Sequence, residues 1–447
     1  MAGFGILIAE RERDAAYPAA VAERSLRLNF VWALAGNVFY SAAQWAMIVI
    51  LARLGDPTIV GRFALGLAIT SPILTLTNLQ LRTVQATDVG ARFCCGHYVA
   101  LRLLGTAVFL LSVVVAALGG GCDRTMLAVL CAVAAMKAAE SLSDVTYGLL
   151  HANERLDRIA QSQILKAVVA VCAMLVTIGL TRSYQAGIAA LTFAFWLTLV
   201  TFDVAIVART AGPGLWLPVW NGRRIRELLR LSLPLGFTLL LVSLNANLPR
   251  YFLKHYRGVG EVGVFSALAY VTVSTNLFVM ALGQALAPRM AKACAADRRA
   301  FTRLSARLFA VAASVGGIGL AAAVVAGKSL LQILYGAEYA REHRVFVCLM
   351  FSGMVSHLAS AAGYSLTSAR FFRAQFPILL AVCAVTAAVC AWLVPGRGLA
   401  GAAVAQAGGY AVQLGACLAY LVCALRRGPL ASGDALPAGD FLFRREV

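Results

Sequence analysis

Lys137, Glu140 and Asp144 are spaced i, i+3, i+7, so an ammonium and two carboxylates share one helical face inside the apolar segment Met126 to Leu150. Charges at bilayer depth cost about 2.5–3.5 kcal/mol each on insertion scales, so they face a polar interior rather than lipid. The chemistry open to them is recognition of an anion by the lysine and carriage of a coupling ion by the carboxylates. A structural ion pair between Lys137 and Glu140, with Asp144 near the water boundary, is the competing expectation.

Other polar groups are set into apolar runs in the same way. Arg250 follows Asn245, Asn247 and Pro249. A proline kink beside polar groups suits a helix that bends, and Arg250 suits an anionic headgroup, or snorkels to the interface with Lys254. Lys166 is a further charge of the same kind. Asn37, Tyr40 and Gln44 form a stripe, Asn78, Gln80 and Arg82 follow Pro72, and Asn276 and Gln284 share a later run. Such groups suit sugar hydroxyls, or bind helices to one another. The candidate substrate residues are therefore Lys137, Arg250, Asn37, Gln44, Asn78, Arg82, Asn245, Asn247, Lys166 and Gln284, with Glu140 and Asp144 as coupling-ion candidates. His357 falls opposite Glu140 when two tyrosine motifs are aligned, and reads as a core histidine.

Nothing in the chain spells catalysis. Gly327-Lys328-Ser329 imitates the end of a phosphate loop, but Ala322 stands where the first glycine is required. There is no HExxH, no paired CxxC and no nucleophile elbow. The 11 cysteines show no metal or disulfide spacing; Cys131, Cys172, Cys383, Cys390 and Cys417 lie in apolar runs as small hydrophobes. No cofactor, metal or catalytic residue is expected.

The elements that position these groups are membrane helices. Hydrophobic residues make up 61% of 447 and charged residues 13%, whereas a soluble domain is about a quarter charged. Apolar runs of about 20 residues match the hydrocarbon core. Twelve are expected, near 29–53, 59–81, 97–119, 126–150, 160–180, 185–207, 231–253, 262–286, 303–327, 345–368, 374–394 and 400–425. Lipid forbids unpaired backbone groups, so the fold is all-α and polytopic.

The net charge of +19 lies mostly in loops, the positive-inside pattern, so nucleic acid is not implied. Arg11, Arg13, Arg24 and Arg27 precede the first span. Arg209, Arg223, Arg224, Arg226 and Arg230 follow the sixth; Arg289, Lys292, Arg298 and Arg299 the eighth; Arg426 and Arg427 the twelfth. Both termini are then cytoplasmic. Phe4 to Ala9 is too short for a secretory signal.

The chain also repeats itself. Val60-Gly61-Arg62-Phe63-Ala64-Leu65 returns as Val262-Gly263-Val264-Phe265-Ser266-Ala267, about 200 residues on. Tyr147-Gly148-Leu149 with Ala152 and Arg155 returns as Tyr364-Ser365-Leu366 with Ala369 and Arg373, with a one-residue slip at the arginine. Two six-helix bundles in the same orientation follow, with a substrate path between them. The expected organisation is a cytoplasmic tail over 1–28, a first bundle over 29–210, a linker over 211–230, a second bundle over 231–425 and a tail over 426–447. Trp216 and Trp220 among arginines read as an interfacial amphipathic segment or an ordinary loop with interfacial aromatics.

Leu54-Gly55-Asp56 with Val60-Gly61-Arg62-Phe63, Ile333-Leu334-Tyr335-Gly336-Ala337-Glu338-Tyr339, and Tyr147 through Arg155 resemble bacterial polysaccharide flippases. That family belongs to the multidrug/oligosaccharidyl-lipid/polysaccharide flippase superfamily. The resemblance implies two bundles around a cationic cavity, alternating access, and a multi-pass protein of the bacterial inner membrane. It implies a substrate of oligosaccharide repeat units on undecaprenyl pyrophosphate, moved from the cytoplasmic to the periplasmic leaflet for O-antigen, capsule or exopolysaccharide. Membrane lipids, a polysaccharide polymerase and a chain-length regulator are the implied partners. A multidrug extruder would need an acidic, aromatic cavity. A polymerase or ligase would need a large outward loop, and Lys328 to Arg344 is short.

Overall fold

The computed structural model describes residues 26–88, 92–120, 123–211 and 217–426. Most of both expected tails, and Trp216 in the linker, lie outside the described residues. All the regular elements described are helical. They are α1 Leu26–Leu54, α2 Pro57–Asn78, α3 Leu81–Ala86, α4 Cys95–Gly119, α5 Arg124–Ala152, α6 Leu156–Thr181, α7 Tyr184–Thr198, a π-helical turn Leu199–Asp203, α8 Val204–Ala211, α9 Gly222–Arg257, α10 Val259–Ala296, α11 Arg298–Leu334, α12 Ala337–Ala340, α13 His343–Ser368 and α14 Phe372–Arg426.

Among the described residues, 11 helical stretches are long and apolar enough to cross a membrane. The last of them makes two passes. The 55 residues of α14 would run about 80 Å as one rod, against a hydrocarbon core of about 30 Å. Gly398 interrupts it at φ 52°, ψ −127°, a combination open to glycine. A Cβ on Gly401 would stand 2.6 Å from the carbonyl oxygen of Leu393, which requires the chain to have turned back. Twelve passes result among the described residues, as the hydropathy pattern predicts.

Local chemistry sets where the helices start and stop. Asp56 caps α2 by accepting from the Ile59 amide at 2.9 Å, with Pro57 in the first turn. Asp123 caps α5 by accepting from Met126 N at 2.8 Å. The second span ends at two left-handed residues, Leu79 (φ 54°) and Gln80 (φ 53°). This break puts Arg82 on the separate short helix α3, beside Asn78.

By compactness the chain divides into Met1–Asn247 and Leu248–Val447. In the first unit α5 is the hub, packing against α2, α3, α4 and α7. Residues 222–230 of the expected linker are the opening turns of α9. They and the segment just ahead of them pack within the first unit: Val219 N donates to Gly96 O at 3.0 Å, Arg92 pairs with Glu227, and Leu228 is buried with Leu79, Phe93 and Tyr98. In the second unit α13 is the hub, packing against α10, α11 and α14 around Val279, Leu308, Ala312, Ala361 and Leu366.

The repeat is visible in hydrogen bonds. After α5, the amides of Asn153, Glu154 and Arg155 donate to the carbonyls of Leu149, His151 and Leu150. After α13, the amides of Ala369, Arg370 and Phe371 donate to Ser365, Thr367 and Leu366. Glu154 and Arg370 both have positive φ. The two turns superimpose in bonding pattern one residue out of step with the tyrosine alignment, because backbone geometry rather than side-chain identity is what repeats.

Candidate functional site

Lys137, Glu140 and Asp144 share a helix, but the fold divides them. Lys137 Nζ donates to Glu140 Oε2 at 2.7 Å; the hydroxyl of Tyr40 lies beside Glu140, with the amide of Gln44 next to that hydroxyl. Asp144 turns instead to two arginines from neighbouring helices. Its Oδ2 accepts from Arg102 Nη2 at 2.7 Å, and its Oδ1 is 3.9 Å from Arg82 Nη1. Two guanidiniums thus meet one carboxylate, a surplus of one positive charge in this cluster.

Hydroxyls and an amide complete this cluster. Ser141 Oγ donates to Asn78 Oδ1 at 2.6 Å, lies 3.4 Å from Arg102 Nη1, and is 3.4 Å from Thr106 Oγ1. The Arg82 guanidinium also sits 5.5 Å from the centre of the Tyr147 ring, within cation–π reach. Burial is uneven. The Arg102 side chain is 1% exposed, Asp144 26% and Arg82 31%.

Lys166 belongs to a dry network that meets the first cluster at Tyr147. Its ammonium donates to Asp203 Oδ2 at 3.1 Å, Ser143 Oγ at 2.7 Å and Tyr147 Oη at 3.2 Å. Ser162 Oγ reaches both Tyr147 Oη, at 2.6 Å, and Asp203. The Lys166 and Asp203 side chains are 2% and 1% exposed. Asp203 closes the π-helical turn, where a wider turn re-aims side chains. Lys166 was expected among the substrate groups; here its donors meet internal partners of unit 1.

The remaining candidates scatter. Asn37 is exposed and accepts from Gln163 Nε2 at 3.4 Å. Asn245 is buried, and Asn247 Nδ2 donates to Ser243 O at 2.8 Å within its own helix. In unit 2, Arg250 Nε donates to Ser266 Oγ at 2.9 Å and its guanidinium stands 5.9 Å from the Phe265 ring centre. Gln284 lies beside Tyr364. His357 is buried, 3.3 Å from Thr275 Oγ1.

The sequence reading overlooked Arg102 and Asp203. Both stand inside expected spans, so the signal that singled out Lys137 was present for them too. Each lies near the end of its run, where a charge reads as interfacial.

Twelve passes among the described residues, with α5 the hub of one unit and α13 of the other and charges held between helices, make this a multi-pass membrane protein of the transporter kind. The chain belongs to the family described as polysaccharide biosynthesis protein, whose model matches residues 26–294. It is 24% identical over 326 residues to the capsular polysaccharide biosynthesis protein CapF of Staphylococcus aureus, covering 72% of this chain and 81% of that one. Its fold is similar to the lipid II flippase MurJ in an inward closed conformation, with TM-score 0.71, 10% identity, and 88% and 89% of the two chains covered. It is also similar to an inward-facing multidrug resistance MATE family transporter of the MOP superfamily, with TM-score 0.65, 11% identity, and 94% and 99% covered. The family resemblance carried by the short motifs holds.

Proposed function

We propose that this protein is a flippase that carries undecaprenyl-pyrophosphate-linked oligosaccharide repeat units from the cytoplasmic to the periplasmic leaflet of the bacterial inner membrane, for O-antigen, capsule or exopolysaccharide. The observation that carries the reading is the excess of guanidinium over carboxylate at Arg82, Arg102 and Asp144, in a chain of a polysaccharide biosynthesis family. A diphosphate is costly to take through hydrocarbon, and sugars need hydrogen-bonding partners there. Arginine and lysine meet the first need; Asn78, Ser141 and Gln44 meet the second, and the lipid tail stays in the bilayer. Transport rather than bond-making chemistry is the activity, by alternating access. A polymerase and a chain-length regulator are the downstream partners this substrate calls for. A surplus of embedded cations disfavours a cationic drug as the cargo.

The test is deletion followed by fractionation of lipid-linked sugars. Loss of a flippase leaves complete repeat units facing the cytoplasm. Loss of a polymerase leaves single units exported, and loss of a drug extruder leaves glycolipids unchanged; either of those results would overturn the proposal. At residue level, Lys137→Ala abolishes complementation at normal protein abundance if Lys137 meets the substrate, and full activity removes it from the site.

A further inference from the structure

The two arginines at Asp144 are held in different ways. Arg102 is buried, bonded to Asp144 at 2.7 Å, and its Nε is buried without a hydrogen-bond partner. Its ion-pair partner is Asp144, and a buried guanidinium does not give up its carboxylate without a large desolvation cost. Arg82 is 31% exposed and stands 3.9 Å from the other carboxylate oxygen, beyond hydrogen-bond distance. It is retained by Coulomb attraction and the Tyr147 ring. One turn earlier on α5, Ser141 donates to the carbonyl oxygen of Asn78, which leaves the NH2 of that amide as the end that donates. The left-handed pair Leu79–Gln80 lies between these two donors in the chain, and they meet α5 one turn apart, at Ser141 and Asp144.

We propose that Asp144 competes with the phosphoryl anion of the substrate for Arg82. In the geometry seen here it draws Arg82 toward itself. A phosphate or diphosphate takes Arg82 from it, because a phosphoryl group accepts two parallel N–H bonds from one guanidinium where Asp144 makes one long contact. Asn78 supplies a second donor. Arg102 is a positioning residue: it keeps Asp144 seated when Arg82 leaves, so no carboxylate is set loose beside an incoming anion. The inference rests on the flippase reading and names the part of the substrate that this cluster meets. The competition gives specificity, since only an anion that outdoes a carboxylate at Arg82 is admitted.

The experiment measures protection of the purified full-length protein against thermal unfolding by inorganic pyrophosphate, undecaprenyl pyrophosphate and phosphatidylglycerol, each titrated separately. Wild type is protected by both diphosphates, and Arg82→Gln weakens that protection at least about tenfold. Asp144→Asn alone strands the buried Arg102, so the informative variant is Asp144→Asn with Arg102→Gln, which removes both charges of the pair. If Asp144 competes, this double variant binds pyrophosphate about tenfold more tightly than wild type, the worth of one screened ion contact. A merely structural Asp144 predicts weaker binding, and equal or weaker binding overturns the proposal. So does protection by phosphatidylglycerol that depends on Arg82 when the diphosphates give none. Accumulation of repeat units in the deletion strain reports separately on flipping. Accumulation without competition at Asp144 overturns this inference alone, whereas its absence overturns the flippase reading without touching the binding result.

Discussion

Replacing Asp203 with asparagine removes one charge from the driest ion pair among the described residues of unit 1. The carboxylate is 1% exposed and its partner Lys166 2% exposed, so water does not reach either to make up the loss. Asparagine keeps the size and one acceptor oxygen, so Ser162 retains a partner. What remains is an ammonium held by the hydroxyls of Ser143 and Tyr147 with no counter-charge. Removing one partner of such a pair costs about 3–5 kcal/mol. Lys166→Gln strands the carboxylate and costs a similar amount. The double variant Lys166→Gln with Asp203→Asn keeps donors and acceptors in place without charge, and is expected within about 1 kcal/mol of wild type, since an ion pair exchanged for a neutral pair of similar volume is near neutral. The two single losses then fail to add by several kcal/mol, which a double-mutant cycle isolates. Equilibrium unfolding in mixed detergent micelles measures all four proteins. Single variants as stable as wild type would refute the claim that the pair is dry. Complementation decides the role: a double variant that folds yet does not transport returns Lys166 to the substrate groups, and one that transports leaves it a structural clamp.

Gly398→Ala places a Cβ at φ 52°, 3.0 Å from Glu261 Oε2; backbone strain of about 1–3 kcal/mol lowers stability in the same unfolding assay, and an unchanged midpoint would show that the turn does not depend on glycine. Gly36→Leu drives a side chain into Gln163 Oε1 at 2.6 Å and Ala160 Cα at 2.8 Å; because the second is backbone, α1 and α6 must separate, at about 1–3 kcal/mol, read as reduced protein abundance and a lower melting temperature. Gly96→Val meets Val219 and the Leu217 carbonyl at 2.5 and 2.8 Å, so it undocks the segment ahead of α9 and raises protease cleavage near residue 219, and an unaltered digest pattern argues against that docking. Glu140→Gln leaves Lys137 without its carboxylate; if Glu140 carries the coupling ion, flipping in vesicles stops responding to an imposed proton gradient, and an intact response removes it from that role.

The helices were legible because their cause is local. Runs of about 20 apolar residues in a membrane admit little else, and the turn after α13 was legible from the turn after α5 because both end a helix with the same bonds. One span boundary was not simple: hydropathy ends the second span at residue 81, while Leu79 and Gln80 already break it. Left-handed leucine and glutamine have no signature in composition. The Lys137–Glu140 pair was legible too, as it joins residues one turn apart on one helix.

Sequence alone determined that this chain crosses a membrane about a dozen times and carries charges where lipid would not tolerate them. Periodicity and solvation settle those points residue by residue. Only the tertiary structure decided which charges meet. Asp144 joins Arg102 from 42 residues away, and Lys166 joins Asp203 from 37 away, because helix packing chooses neighbours. The physical reason is that a buried charge takes the nearest opposite charge the packed helices present, and that distance is not written along the chain.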